Sequence, residues 1–280
     1  MRAEVSPEEV LSYRDDGFLV IEDLLDDGEL AQWRSAVDRA VAGHGVSGRD
    51  LDPDQSEYYD RVFLQRVNMW KTSSEVCELV LDERFGQLVA ALAGTDEVRL
   101  YHDHALIKLP WANPTNWHAD NPYDPYRSPE AIMLWIALDD ADARNGCLHF
   151  LPGSHRRDRL DDGAALDEAN IGALLEANPQ FAAIDPAMAE VAAGAGIFIN
   201  GMTAHAAGAN MSPRPRRAFS MLFIPGRCRY TGQPGALPTE LTARLEPGDI
   251  LDDDQHLPLL YRAWHGTARG ARAYGVGRQG

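Results

Sequence analysis

The chain has 280 residues, 45% hydrophobic and 25% charged, with a formal net charge of −17. That length can bury a substantial core and the composition is that of a folded globular protein, while the acidic balance argues against nucleic acid and anionic membrane surfaces, which need clustered Lys and Arg. No apolar run reaches the roughly 18 residues of a membrane span, and Met1–Val5 carries no apolar secretory stretch, so a cytoplasmic location without a membrane partner is expected.

Residues 6 to about 95 read as a mainly helical layer. Ser6-Pro7-Glu8-Glu9 sets Ser at an N-cap, Pro at the first helical position and Glu three residues after the cap. The helix should stop at Gly17, which can take the left-handed conformation, and Phe18–Ile21 follows as a short buried strand. Leu30, Trp33, Val37 and Val41 mark a second helix over about 27–42. A polar surface loop is expected over about 46–59, then a third helix over about 74–93. From Val98 the texture changes to short apolar runs bounded by Pro, Gly, Asn and Asp: 100–109, 131–138, 147–151, 196–199 and 217–224. Such strands predict a β-sandwich or barrel rather than a βαβ sheet. A helical, polar insertion interrupts them over about 160–188, and 232–280 forms a C-terminal extension. The reading is one domain, 1–280, with a β-core at about 98–225. Cys77, Cys147 and Cys228 form no CxxC pair and read as reduced thiols rather than a zinc ribbon or disulfide framework.

The chemistry centres on Trp117-His118-Ala119-Asp120 and the distant His205. In extended chain, residues two apart share a face, so His118 and Asp120 can bind one ion together. A second His completes a two-His, one-carboxylate set, which occupies one face of octahedral iron(II) and leaves positions open. Alone, an HxD pair arises often by chance. The segment after His205, Asn210 to Arg217, adds a basic cluster of Arg214, Arg216 and Arg217 against an acidic background. An Arg near the metal can grip a distal carboxylate through a bidentate pair.

These segments resemble the phytanoyl-CoA dioxygenase family of iron(II)/2-oxoglutarate oxygenases. Gly17–Ile21 is similar to its N-terminal strand, Tyr101–Lys108 to the strand before the metal motif, and Trp117–Asn121 to its WHxD element. Asn145-Gly146-Cys147-Leu148 through Pro152-Gly153-Ser154-His155 matches its NGCL…PGSH signature. The resemblance covers roughly residues 8 to 225. It implies a double-stranded β-helix (jelly roll), mainly β, with an N-terminal helical layer. It implies His118, Asp120 and His205 as iron ligands, and Fe(II), 2-oxoglutarate and O2 as cofactor and co-substrates. Arg216 is then the partner of the 2-oxoglutarate C5 carboxylate, with Ser212, Trp135 and Lys108 as further pocket candidates. The intact Asp120 disfavours halogenation, in which a small residue replaces the carboxylate. Arg217 should point to the opposite face from Arg216.

The implied activity is oxidation, most simply hydroxylation, of an unactivated C–H bond in a small metabolite or natural-product scaffold. Gln65 and Asn68, in the helical layer over the barrel mouth, and Tyr123, in a lid-like loop, are candidate substrate contacts. His102 and His104 share a strand face but lack a carboxylate at matching spacing, so they read as core or hydrogen-bonding residues, with His104 kept as a further substrate candidate. Three alternatives stay open: a metal-dependent cupin-like enzyme that would not need Arg216, a non-catalytic jelly-roll binding module, and an acyl-CoA substrate held by Arg156, Arg157 and Arg159. Oligomeric state is not readable.

Overall fold

The first helix is defined by its own ends. Ser6 Oγ accepts from Glu9 N, the Glu9 carboxylate accepts from Ser6 N at 2.7 Å, and Gly17 at φ 83° closes α1 (Pro7–Asp16). The computed structural model describes residues 1–43, 61–156 and 170–263. β1 (Phe18–Ile21) leads into α2 (Asp27–Gly43); the loop expected over 46–59 lies outside the described residues. The stretch expected as one helix over 74–93 is two, α3 (Ser74–Val80) and α4 (Glu83–Ala93). Asp82 divides them, its carboxylate capping α4 by accepting from Arg84 N at 2.9 Å. Within the expected helical layer, β2 (Leu64–Val67) is a strand.

The remaining strands are β3 (Glu97–Lys108), β4 (Thr115–His118), β5 (Ile132–Ala137), β6 (Leu148–Phe150), β7 (Ala187–Ala189), β8 (Gly196–Asn200), β9 (His205–Ala207), β10 (Arg216–Pro225) and β11 (Leu259–Arg262). A seven-stranded antiparallel sheet runs β1-β8-β5-β10-β3-β11, with β2 also on β3, and a four-stranded sheet runs β4-β9-β6-β7. Together they make the double-stranded β-helix, with the helices at its N-terminal side. The expected insertion at 160–188 holds, in its described part, one five-residue helix, α5 (Ala173–Ala177), a 3-10 turn and the edge strand β7. The described part of the C-terminal extension joins the barrel: α6 (Thr239–Thr242) precedes β11, which pairs with the start of β3, and Arg99 inside β3 donates to Leu257 O at 2.8 Å. Among the described residues no helix is long and apolar enough to cross a membrane.

β5, β8 and β10 read as continuous apolar runs because both faces of the large sheet are covered. Leu134, Ile136, Phe198, Phe219, Met221 and Phe223 point outward into a core shared with Trp33, Val37, Phe85 and Leu88 of the helices. Met133, Trp135, Ile197, Ile199 and Leu222 point inward toward the small sheet. The helical layer thus rigidifies the wall whose other face carries the cavity. Phe219 is fully buried with its ring 5.1 Å from that of Trp33. Phe219→Ala is expected to cost about 3–5 kcal/mol, read from the urea midpoint at unchanged m-value.

Candidate active site

The two sheets approach where β4 meets β9. His118 ends β4, His205 begins β9, and the two are direct cross-strand partners with ring centroids 4.2 Å apart. Asp120, two residues past His118, turns its Oδ1 to 3.6 Å from His118 Nε2 and 3.8 Å from His205 Nε2. One donor atom from each lies within 4.8 Å of the others. His118 Nδ1–H donates to Asn116 O at 2.8 Å and His205 Nδ1–H to Thr203 O at 3.0 Å. Those bonds fix both tautomers so that the Nε2 lone pairs face Asp120. Burial pushes both imidazoles down to about 4, so neither proton competes for the lone pair at neutral pH. Burial also raises Asp120, whose buried Oδ2 has no hydrogen-bond partner among the described residues. Two neutral nitrogens and one carboxylate, converging and short of partners, fit iron(II).

The signature segments support this constellation rather than line it. Asn145 Oδ1 accepts from Asp142 N, and Gly146 sits at φ 92° where a Cβ would meet Gly208 O at 2.5 Å. That turn launches β6, whose Phe150 pairs with His205. Ser154, buried in the PGSH turn, accepts from Ala204 N at 2.9 Å, and Thr203 Oγ1 donates to Gly17 O at 2.8 Å. The residues on both sides of the Thr203 carbonyl that orients His205 are therefore held from outside their own strand.

Arg216 opens β10 on the inner face and lines the same cavity, of about 180 Å³, as His118, Asp120 and His205. Its guanidinium lies 5.1 Å over the Trp135 ring, and all three of its nitrogens are buried without a hydrogen-bond partner among the described residues. A buried cation in that condition calls for an anion. Arg217, one residue on, faces outward into ion pairs with Asp139 and Asp38. Lys108 is the cross-strand partner of Arg216 and is buried; its Nζ donates to Asn113 O at 2.7 Å, beside the cavity rather than in its lining. Ser212 is kept out. Its hydroxyl donates to Asn210 Oδ1 at 2.8 Å in the surface loop before β10 and borders a separate groove with Arg214.

Of the substrate candidates, Gln65 and His104 line the cavity and Asn68 does not. Asn68 takes a left-handed conformation at φ 55° and its N–H donates to Asp103 O, which makes it a turn residue. Tyr123 closes the 3-10 turn after Asp120, and its side chain lies outside what is described. Of the arginines considered for a CoA phosphate, Arg156 pairs with exposed Asp15, and Arg157 and Arg159 lie outside the described residues. Several lining residues escaped the sequence reading. His102, read as a core or hydrogen-bonding residue, was legible through its two-residue spacing from His104. Phe63, Thr115 and Asp124 were not, because their place depends on how β2 and β4 dock. Asp124 accepts from Tyr126 Oη at 2.8 Å, and burial pushes its carboxyl up to about 8.

A jelly roll with two histidines and a carboxylate at the sheet junction and a buried arginine in the same cavity defines a non-haem iron(II)/2-oxoglutarate-dependent oxygenase acting on a small molecule. The chain belongs to the phytanoyl-CoA dioxygenase (PhyH) family, whose model matches residues 13–218. An ectoine dioxygenase from Nocardia farcinica is 30% identical over 161 residues, 55% of this chain and 52% of that protein. The peroxisomal phytanoyl-CoA dioxygenase of Bos taurus is 24% identical over 233 residues, 78% of this chain and 68% of that one. Among solved structures, the non-heme alpha ketoglutarate dependent carbocyclase SnoK from nogalamycin biosynthesis is 28% identical with a TM-score of 0.76, covering 91% of this chain and 96% of its own. The epimerase SnoN in complex with Fe3+, alpha ketoglutarate and nogalamycin RO is 27% identical with a TM-score of 0.73, covering 90% and 97%.

Burial, with the Arg216 charge adding to it, pushes Lys108 down to about 6. An anion arriving beside Arg216 raises that value again, so at pH 7.5 the free side chain is mostly neutral and the bound form more protonated. Binding of 2-oxoglutarate should therefore take up a fraction of a proton at pH 7.5 and close to none at pH 5. Calorimetry in buffers of different ionisation enthalpy measures the uptake, and Lys108→Met should abolish it.

Proposed function

We propose that the chain hydroxylates an unactivated C–H bond of a free small metabolite or natural-product scaffold, with His118, Asp120 and His205 holding iron(II) and Arg216 holding the C5 carboxylate of 2-oxoglutarate. The observation that carries the reading is the buried, unpartnered Arg216 guanidinium in one cavity with the triad. The bound iron, 2-oxoglutarate and dioxygen supply oxidative decarboxylation to succinate and carbon dioxide, coupled to oxidation of the substrate carbon. The protein's residues supply the rest. The carbonyls of Asn116 and Thr203 orient the ligand imidazoles, Trp135 supports the guanidinium face, and Lys108 sets the potential at the anion end. Leu106, Met133, Leu148 and Leu222 keep much of the cavity apolar and exclude water around the reacting carbon.

A free substrate is favoured over a CoA thioester because Arg216 is the one Lys or Arg in the cavity lining among the described residues, and the anion of the co-substrate takes it. A second outcome is favoured by the likeness to SnoK and SnoN, named as a carbocyclase and an epimerase: cleavage of a C–H bond without net oxygen transfer to the substrate. Product mass separates these outcomes. Hydroxylation adds one oxygen, ring closure removes two hydrogens, and epimerisation leaves the mass unchanged.

Anaerobic titration of the metal-free protein with iron(II) and then 2-oxoglutarate tests the site. A weak visible band should appear only with both. Arg216→Ala should keep iron binding and weaken 2-oxoglutarate binding by about 2–5 kcal/mol, the usual cost of truncating one partner of a buried charge pair. His205→Ala should lose iron and band together. Iron binding without a band in the unaltered protein would instead indicate a metal-dependent enzyme that does not use 2-oxoglutarate.

A further inference from the structure

The cavity has two unlike ends. β10 runs along it, with Arg216 at one end and Leu222 six residues on, about 20 Å away in extended chain. Around Leu222 the cross-strand partners are His102 on β3 and Met133 on β5, and around Ser220 they are His104 and Trp135. The far end is therefore floored by the His102 imidazole, Met133 and Leu222, with His104 and Gln65 one step nearer Arg216, while Phe63 packs at the Arg216 end against Lys108.

The hydrogen-bonding state of the imidazoles is specific. The Gln65 amide Nε2 donates to His104 Nδ1 at 3.1 Å, which leaves the ring hydrogen on His104 Nε2. That N–H is buried and has no partner among the described residues; neither does Nδ1 of His102, which is 5% exposed. The two rings stand edge to face at 5.2 Å and so orient each other. Burial keeps both uncharged at neutral pH, His102 down to about 4 and His104 well below its ordinary value. A buried N–H on a ring that lines a cavity is costly until a ligand supplies an acceptor. A cation would meet a donor there, and an anion would be buried without a counter-charge.

We propose that His102 and His104 are specificity-determining residues that receive an uncharged oxygen, carbonyl, ether or hydroxyl, on the substrate, whose apolar frame lies against Met133 and Leu222. This rests on the reading of the cavity as an oxygenase site and names its substrate class: a neutral, oxygenated, largely apolar scaffold. Asp124, the remaining acid at the cavity wall, is occupied by the Tyr126 hydroxyl.

The test is anaerobic calorimetry on protein loaded with iron(II) and 2-oxoglutarate, using four bicyclic probes of one size: 2-decalone, 2-decalol, decalin-2-amine and decalin-2-carboxylate. The ketone and alcohol should bind about tenfold more tightly than the two charged probes. His104→Leu should erase that preference, and His104→Gln, which keeps an N–H donor, should restore part of it. His102→Leu should weaken the ketone by a similar factor. Each variant should retain the visible band with 2-oxoglutarate, which shows that it is folded. Loss of the band in the unaltered protein would count against the cofactor reading instead. Tightest binding of the amine, which would make Asp124 the counter-ion, overturns the proposal. So do tightest binding of the carboxylate, equal or absent binding across the panel, and leucine variants that bind like the unaltered protein.

Discussion

The cross-strand pair His118 and His205 is the contact on which the site depends. It joins strands of four and three residues, and short strands alone do not hold a ring to the tolerance that metal ligation needs. Stiffness comes from outside the pair. Gly17 anchors Thr203, the PGSH turn anchors Ala204, and Asn121 N donates to Gly201 O at 2.9 Å just past Asp120. Each ligand imidazole is then set by a carbonyl two residues before it. The helical layer completes the support by covering the outer face of the large sheet, so that the wall opposite the triad is packed on both sides.

Electrostatics divide the same β10 strand into two fates. Arg216 and Arg217 are sequence neighbours in an acidic chain, yet strand alternation turns one to the interior and the other to the surface. Arg217 is neutralised by Asp139 and Asp38, whereas Arg216 is left with its charge, an aromatic face and a largely neutral lysine beside it. An uncompensated guanidinium in a low-dielectric cavity is costly to the fold and well suited to a carboxylate ligand. At the far end of the cavity the polar groups are neutral imidazoles. The cavity therefore separates charge recognition from the recognition of an uncharged scaffold along one strand.

Much of the site was legible because local periodicity alone places residues on a common face. His118 and Asp120, Arg216 against Arg217, the capping box at Ser6 and the stop at Gly17 all follow from spacing within a few residues. The NGCL…PGSH resemblance pointed to the fold and the ligand set, but the role of those segments came from the structure: they are braces for β6 and β9. Ser212 shows the limit of the approach. It is close to Arg216 in sequence, yet Asn210 draws its hydroxyl into the loop and away from the cavity. The split of the 74–93 helix at Asp82 and the strand at Leu64–Val67 were missed for a similar reason, since a cap and an edge pairing outweighed a weak helical period.

The sequence by itself supplied the candidate parts: the His118 and Asp120 pair, a distant His205, a basic cluster with Arg216, short strands of a sandwich or barrel and a helical N-terminal layer, while the family resemblance implied the jelly roll and the ligand set. The local parts are properties of residue type and of spacing over a few positions, which the backbone geometry of strands and helices translates directly. Only the tertiary structure decided that Phe63, Thr115 and Asp124 face the same space as the triad, that Lys108 sits beside that space, and that β11 closes the edge of β3. Those outcomes depend on the register between strands far apart in the chain, and a slip of one residue would turn every side chain to the other face.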